Sequence, residues 1–149
     1  MSKEDIILIN EMTIDRHGGN YVPPSNFHNE GPLDYLLQAV DSELFGEALY
    51  PEAYYKAGLY MFNIVSNHVF QDGNKRTGLG SALLFLKLNG FGLKSILTKI
   101  KVDDREIPLK GISTNEILIE FTLELASGKV TLSECQEWFK NNITEKQKD

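Results

Sequence analysis

Between positions 68 and 77 the chain reads HVFQDGNKRT. This short stretch brings together an imidazole, a carboxylate, a glycine, a carboxamide and two adjacent cations. His68 carries the one side chain whose unperturbed titration lies near neutral pH, so it can take a proton from an attacking hydroxyl. Asp72 is a hard oxygen ligand, suited to Mg²⁺ held jointly with phosphate oxygens. Gly73 lets the backbone turn tightly and approach a ligand closely, and Asn74 tolerates left-handed conformations. Lys75 and Arg76 add positive charge where a helix begins, beside unpaired N–H groups and the positive end of the helix dipole. The set fits a di- or triphosphate. Base, metal ligand and phosphate cradle are the parts that phosphoryl or nucleotidyl transfer needs. Phe70 reads as the anchor that pins the loop to the core.

Other chemistries fit less well. The GxxxxGK[ST] pattern of a P-loop is absent. His17 and His28 lack partners at metal-ligand spacing and read as loop histidines. A lone histidine at the end of an apolar stripe is more often packed in a core than catalytic, and it is the polar company of His68 that argues otherwise.

The elements around this loop read as helices. Ser2 followed by Asp5 predicts a capped helix start, with a stop at Gly18-Gly19. Residues 17–32 are rich in Gly, Asn, Pro and Ser and read as a loop or an irregular hairpin. Leu33, Leu36, Leu37, Val40 and Leu44 share one face of a second helix. Pro51 suits the first turn of a third, whose stripe of Ala53, Ala57, Met61, Ile64 and Val65 leads on to His68. A fourth helix runs from about Lys75, with Leu79, Ala82, Leu83 and Leu86 inward, and ends at Asn89-Gly90. Residues 91–112 alternate rather than rotate, which fits a short β-hairpin whose Pro108 confines it to an edge. Ser113 or Thr114 caps a helix bearing Ile117, Leu118, Phe121 and Leu125, and Gly128 ends it. Thr131 with Glu134 caps the last, with Leu132, Cys135, Trp138 and Phe139 inward. The tail at 144–149 reads as frayed.

The 149 residues fit one domain, 1–149, with 42% hydrophobic and 24% charged residues. A single cysteine, Cys135, rules out an internal disulfide and suits a reducing compartment. No leader-like basic and apolar run opens the chain, and no apolar stretch approaches the ~20 residues of a membrane helix. A cytoplasmic protein with no membrane attachment is expected. The net charge of −6 disfavours direct DNA binding, although Lys94, Lys99, Lys101, Arg105 and Lys110 cluster in sequence.

HVFQDGNKRT resembles the HxFx(D/E)GNxR signature of the Fic/Doc family, and within it the Doc (death-on-curing) branch. The following SALLFLKLNG is similar to the family's next helix, and DRHGG and ASGKVTLSECQEWF extend the likeness more weakly. The resemblance implies an all-α Fic fold, a helical bundle with the loop at its centre. It implies that His68 is the general base, that Asp72 binds Mg²⁺, that Gly73, Asn74 and Lys75 cradle the anion, and that Arg76 contacts phosphate. Residues 17–27 would correspond to the flap that holds the target peptide.

Family members that transfer AMP have Gly in place of Lys75 and a second Arg in place of Leu79. Both departures resemble Doc, in which the nucleotide is reversed and the terminal phosphate goes to a threonine of elongation factor Tu. Gly73 departs in turn from a Doc toxin that has Ala there. The resemblance thus implies a toxin of a toxin-antitoxin system, using ATP as co-substrate and Mg²⁺. The alternatives are an AMP transferase on the same fold and a catalytically silent binding protein. A self-inhibitory S/TxxxE(G/N) helix is not found, since Asn26 to Glu30-Gly31 lacks the Ser/Thr. Control by a separate antitoxin protein follows as the expectation.

Overall fold

A helix with apolar residues around most of its circumference must lie inside a fold. Helix α3 (Ala53–Ser66) has that character, and it buries Ala57, Leu59, Tyr60, Met61, Ile64 and Val65 together. The structure, a computed structural model, describes residues 1–98 and 113–146. Against α3 pack α2 (Gly31–Ala39), α4 (Asn74–Leu88), α5 (Thr114–Ala126) and α6 (Leu132–Asn142), while α1 (Lys3–His17) packs on α4. The most extensive of these contacts are with α4 and α6. At the α3–α4 crossing the backbones come close: a Cβ added at Gly78 would lie 2.5 Å from Val65 Cγ2 and 3.2 Å from the Met61 carbonyl oxygen. The fold is helical, as expected.

Local signals set the helix ends. Ser2 and Asp5 form a capping box at α1, and Thr131 and Glu134 form another at α6. Ser113 accepts the Glu116 N–H at the start of α5. Helix α4 ends at Leu88, with Asn89 as its C-cap and Gly90 following at φ 85°. Lys3 ties the start of α1 to α2 by ion pairs with Glu30 and Asp34, and lies over the Phe27 ring. On the far side, Phe121 of α5 stacks on Trp138 of α6 with ring centroids 4.2 Å apart, and the Trp138 indole N–H donates to the Thr98 carbonyl at 2.8 Å.

Four expectations are corrected. Leu44 does not continue α2. It belongs to a two-stranded hairpin, β1 (Glu43–Leu44) with β2 (Glu47–Ala48), and is exposed. Pro51 precedes the N-cap residue Glu52 and so lies just outside α3. Strand β3 (Phe91–Leu93) pairs antiparallel with β4 (Ile143–Glu145), rather than with a hairpin partner nearby. Residues 99–112, which carry the rest of the expected hairpin and most of the basic cluster, lie outside the described residues. The same pairing means that Thr144 and Glu145 are not frayed: α6 stops at Asn142, and its exit finds the free edge of β3. No helix among the described residues is long and apolar enough to cross a membrane.

Candidate active site

The stripe of α3 does not reach His68. Helix α3 ends at Ser66, and His68 takes a left-handed φ of 47°, an uncommon conformation for a non-glycine residue. The reversal carries the imidazole out into solvent and turns Val69 and Phe70 into the core, at 0% and 1% exposure. His68 is therefore exposed, and the core-histidine alternative does not hold.

Phe70 is buried under the loop. Its ring stacks on Phe27 at 5.3 Å, and the two residues form an antiparallel bridge between the loop and residues 17–27. Gln71 N–H donates to the Asn26 carbonyl at 2.8 Å, and His28 N–H to the Val69 carbonyl at 2.9 Å. The loop and that segment thus share one short ladder.

Beyond Phe70 the chain passes Gly73, at φ 78°, and enters α4. That left-handed residue serves as the N-cap, and no side chain caps the helix. The first-turn N–H groups at Asn74, Lys75 and Arg76 are left to face whatever enters the cleft, as an anion site requires. Lys75 and Arg76 are exposed beside them. Asn74 lines the cleft and also holds the loop. Its carboxamide is bonded to the main chain of Phe70 on both its oxygen and its nitrogen, and its backbone N–H stands at the start of α4.

Asp72 is exposed, and both carboxylate oxygens accept backbone N–H groups: Asn20 at 2.9 Å on one and Gly73 at 2.8 Å on the other. The bond from Asn20, then that from Gly73, hold its carboxyl below the ordinary carboxylate range, and Lys75 adds to the effect. The group is ionised at neutral pH, which fits a hard divalent cation. No cluster of three or more His, Cys, Asp and Glu that could hold a metal occurs among the described residues. A cation at Asp72 would need phosphate oxygens and water to complete its shell.

His68, Asp72, Gly73, Asn74, Lys75 and Arg76 all line one open cleft of about 760 Å³. Its opposite wall is α5, through Ile119, Thr122, Leu123 and Ala126. Sequence reasoning assigned α5 only its core stripe. The missed signal is a second apolar pair, Ile119 and Leu123, at i, i+4 and more than half exposed. Asn10 and Asn26, fully enclosed beneath the loop, were missed as well. The signal for Asn10 is its place on the buried face of α1 between Ile6 and Ile14.

A model of the Fic/DOC family matches residues 1–86. Among curated proteins, the chain is 31% identical over 90 residues to "Protein kinase doc" of Escherichia phage P1, across 60% of this chain and 68% of that protein. It is 31% identical over 74 residues to "Toxin Doc" of Mycolicibacterium smegmatis, across 50% of this chain and 57% of that protein. Both relatives carry the Doc name, in agreement with the branch that Lys75 and Leu79 implied.

Proposed function

Since the chain belongs to the Fic/DOC family, we propose that it is a Doc-type toxin that moves the terminal phosphate of ATP to a threonine or serine hydroxyl of a target protein. Elongation factor Tu is the proposed target, with arrest of translation in the cytoplasm as the outcome. One observation carries the reading: a single cleft gathers exposed His68, Asp72, Lys75 and Arg76 around the uncapped start of α4.

In this reading the hydroxyl oxygen attacks the terminal phosphorus, the bond to the bridging oxygen breaks, and ADP leaves. His68 takes the hydroxyl proton. The N–H groups at the start of α4, with Lys75 and Arg76, hold phosphate oxygens and offset their charge. Asp72 would hold Mg²⁺ together with the phosphates, and that ion would supply charge neutralisation. Residues 17–27, laddered to the loop, would present the target segment. Phosphoryl over nucleotidyl transfer is favoured by Lys75 and Leu79, which both line the cleft, and by the relative named a protein kinase.

A separate antitoxin is the proposed controlling partner. The exposed pair Ile119 and Leu123 beside the loop supports an apolar segment resting there.

The test incubates the chain with elongation factor Tu and ATP labelled at either the γ or the α phosphate. Label retained from the γ position alone supports the kinase. Retention from the α position makes the protein an AMP transferase. Retention of neither, on the factor or on any protein of a cell extract, together with undiminished toxicity of His68→Ala, would leave a binding protein.

A further inference from the structure

Two enclosed carboxamides lie behind the loop where apolar side chains would pack at less cost in desolvation. Asn10 is 0% exposed on the buried face of α1. Its Nδ2 donates to the main-chain carbonyl of Asp72 at 2.8 Å and to Thr77 Oγ1 at 3.0 Å. Its Oδ1 accepts from Asn26 Nδ2 at 3.0 Å. Asn26, also 0% exposed and held at φ 60°, accepts the Val22 N–H on Oδ1 at 2.7 Å. Its own carbonyl accepts the Gln71 N–H at 2.8 Å. The bonds run without a break from residues 17–27, through α1, to the loop and the first turn of α4.

The bond to Asp72 has a specific consequence. The carbonyl that Asn10 holds belongs to the same planar peptide as the Gly73 N–H, so fixing one fixes the direction of the other. That N–H in turn bonds the Asp72 carboxylate at 2.8 Å, and the second carboxylate oxygen takes the Asn20 N–H at 2.9 Å.

We propose that Asn10 and Asn26 are positioning residues that orient the Asp72 carboxylate and lock residues 17–27 to it, so that the cation and phosphate subsite and the segment facing it form one unit. Only the catalytic consequence rests on the reading of Asp72 as a cation ligand. The relay itself does not.

Amide hydrogen exchange by NMR on the full chain tests the relay in Asn10→Ala. Thr77→Val serves as a milder variant that removes one of the Asn10 bonds should the first not fold. Protection of the Gly73 and Asn20 amides, neither of which Asn10 touches, is expected to fall about tenfold in Asn10→Ala and less in Thr77→Val, while α3 amides keep theirs. Unchanged protection at Gly73 and Asn20, or an equal loss throughout α3, overturns the relay.

Titration with Mn²⁺ in the presence of a non-hydrolysable ATP analogue, which supplies the phosphate oxygens, followed by its electron spin resonance, tests the consequence. Asn10→Ala is expected to weaken Mn²⁺ binding about tenfold in the native background and not in Asp72→Ala. Asp72-dependent binding that Asn10→Ala leaves unchanged overturns it. Equal binding by the native chain and Asp72→Ala sinks the cation reading of Asp72 instead, and amide exchange still decides the relay.

Discussion

The carboxamide of Asn74 brackets the main chain of Phe70, accepting its N–H at 2.9 Å and donating to its carbonyl at 2.8 Å. The loop between His68 and α4 is thereby closed into a ring by a residue whose type first suggested ligand contact. Asn74→Ala leaves two partly buried backbone groups unpaired and is expected to cost about 1–3 kcal/mol in urea denaturation. Asn74→Asp keeps the acceptor and places a negative charge at the start of α4, so it should cost less. Equal losses for the two would show that the bracket contributes little.

His68 separates chemistry from stability. Its side chain is exposed, so His68→Ala should shift unfolding free energy by no more than about 1 kcal/mol. As the proposed base, its loss should slow target labelling by roughly 10²–10⁴-fold. A folded, fully active variant would remove His68 from the mechanism.

Phe70 should behave oppositely. It is 1% exposed and stacked on Phe27, so Phe70→Ala is expected to cost about 3–5 kcal/mol, measured by thermal or urea unfolding. A loss under about 1 kcal/mol would mean that the loop is anchored elsewhere.

The α1 capping box predicts a pH dependence. The Asp5 carboxylate accepts the Ser2 N–H at 2.8 Å, and that bond, then the Ser2 hydroxyl, lower its pKa from the ordinary value. A folded value below the unfolded one contributes stability above the ordinary carboxylate range, and that contribution is lost as pH falls through the lowered value. Asp5→Asn should therefore be less stable than the native chain at neutral pH, and the gap should narrow below about pH 4. A gap independent of pH would show that the carboxylate charge plays no part.

Ser81 predicts a gain. Its hydroxyl is fully buried in α4 and has no hydrogen-bond partner among the described residues. Ser81→Ala removes an unsatisfied polar group at little change in volume, and the urea midpoint should hold or rise by the equivalent of about 1 kcal/mol. A clear drop would point to a hydroxyl partner supplied by water.

The sequence alone determined the helices and their order, because the signals that specify them are local. Ser2 with Asp5, Thr131 with Glu134, and Asn89 with Gly90 act within a turn of helix, and apolar spacing marks the faces between them. The reactive loop was legible for the same reason, since its groups are close neighbours in the chain. Tertiary structure decided what depends on distant partners. The left-handed turn at His68 is imposed by burying Val69 and Phe70 against residues 17–27, and no helical periodicity foretells it. The use of Asn74 on Phe70, the enclosure of Asn10 beneath Asp72, and the second apolar stripe of α5 across the cleft likewise exist only once the helices pack. Strand β4 pairs with β3 because the end of α6 happens to meet that edge. Periodicity says which face of a helix is apolar. It does not say which other element that face will meet, and a site built between elements is written in those meetings.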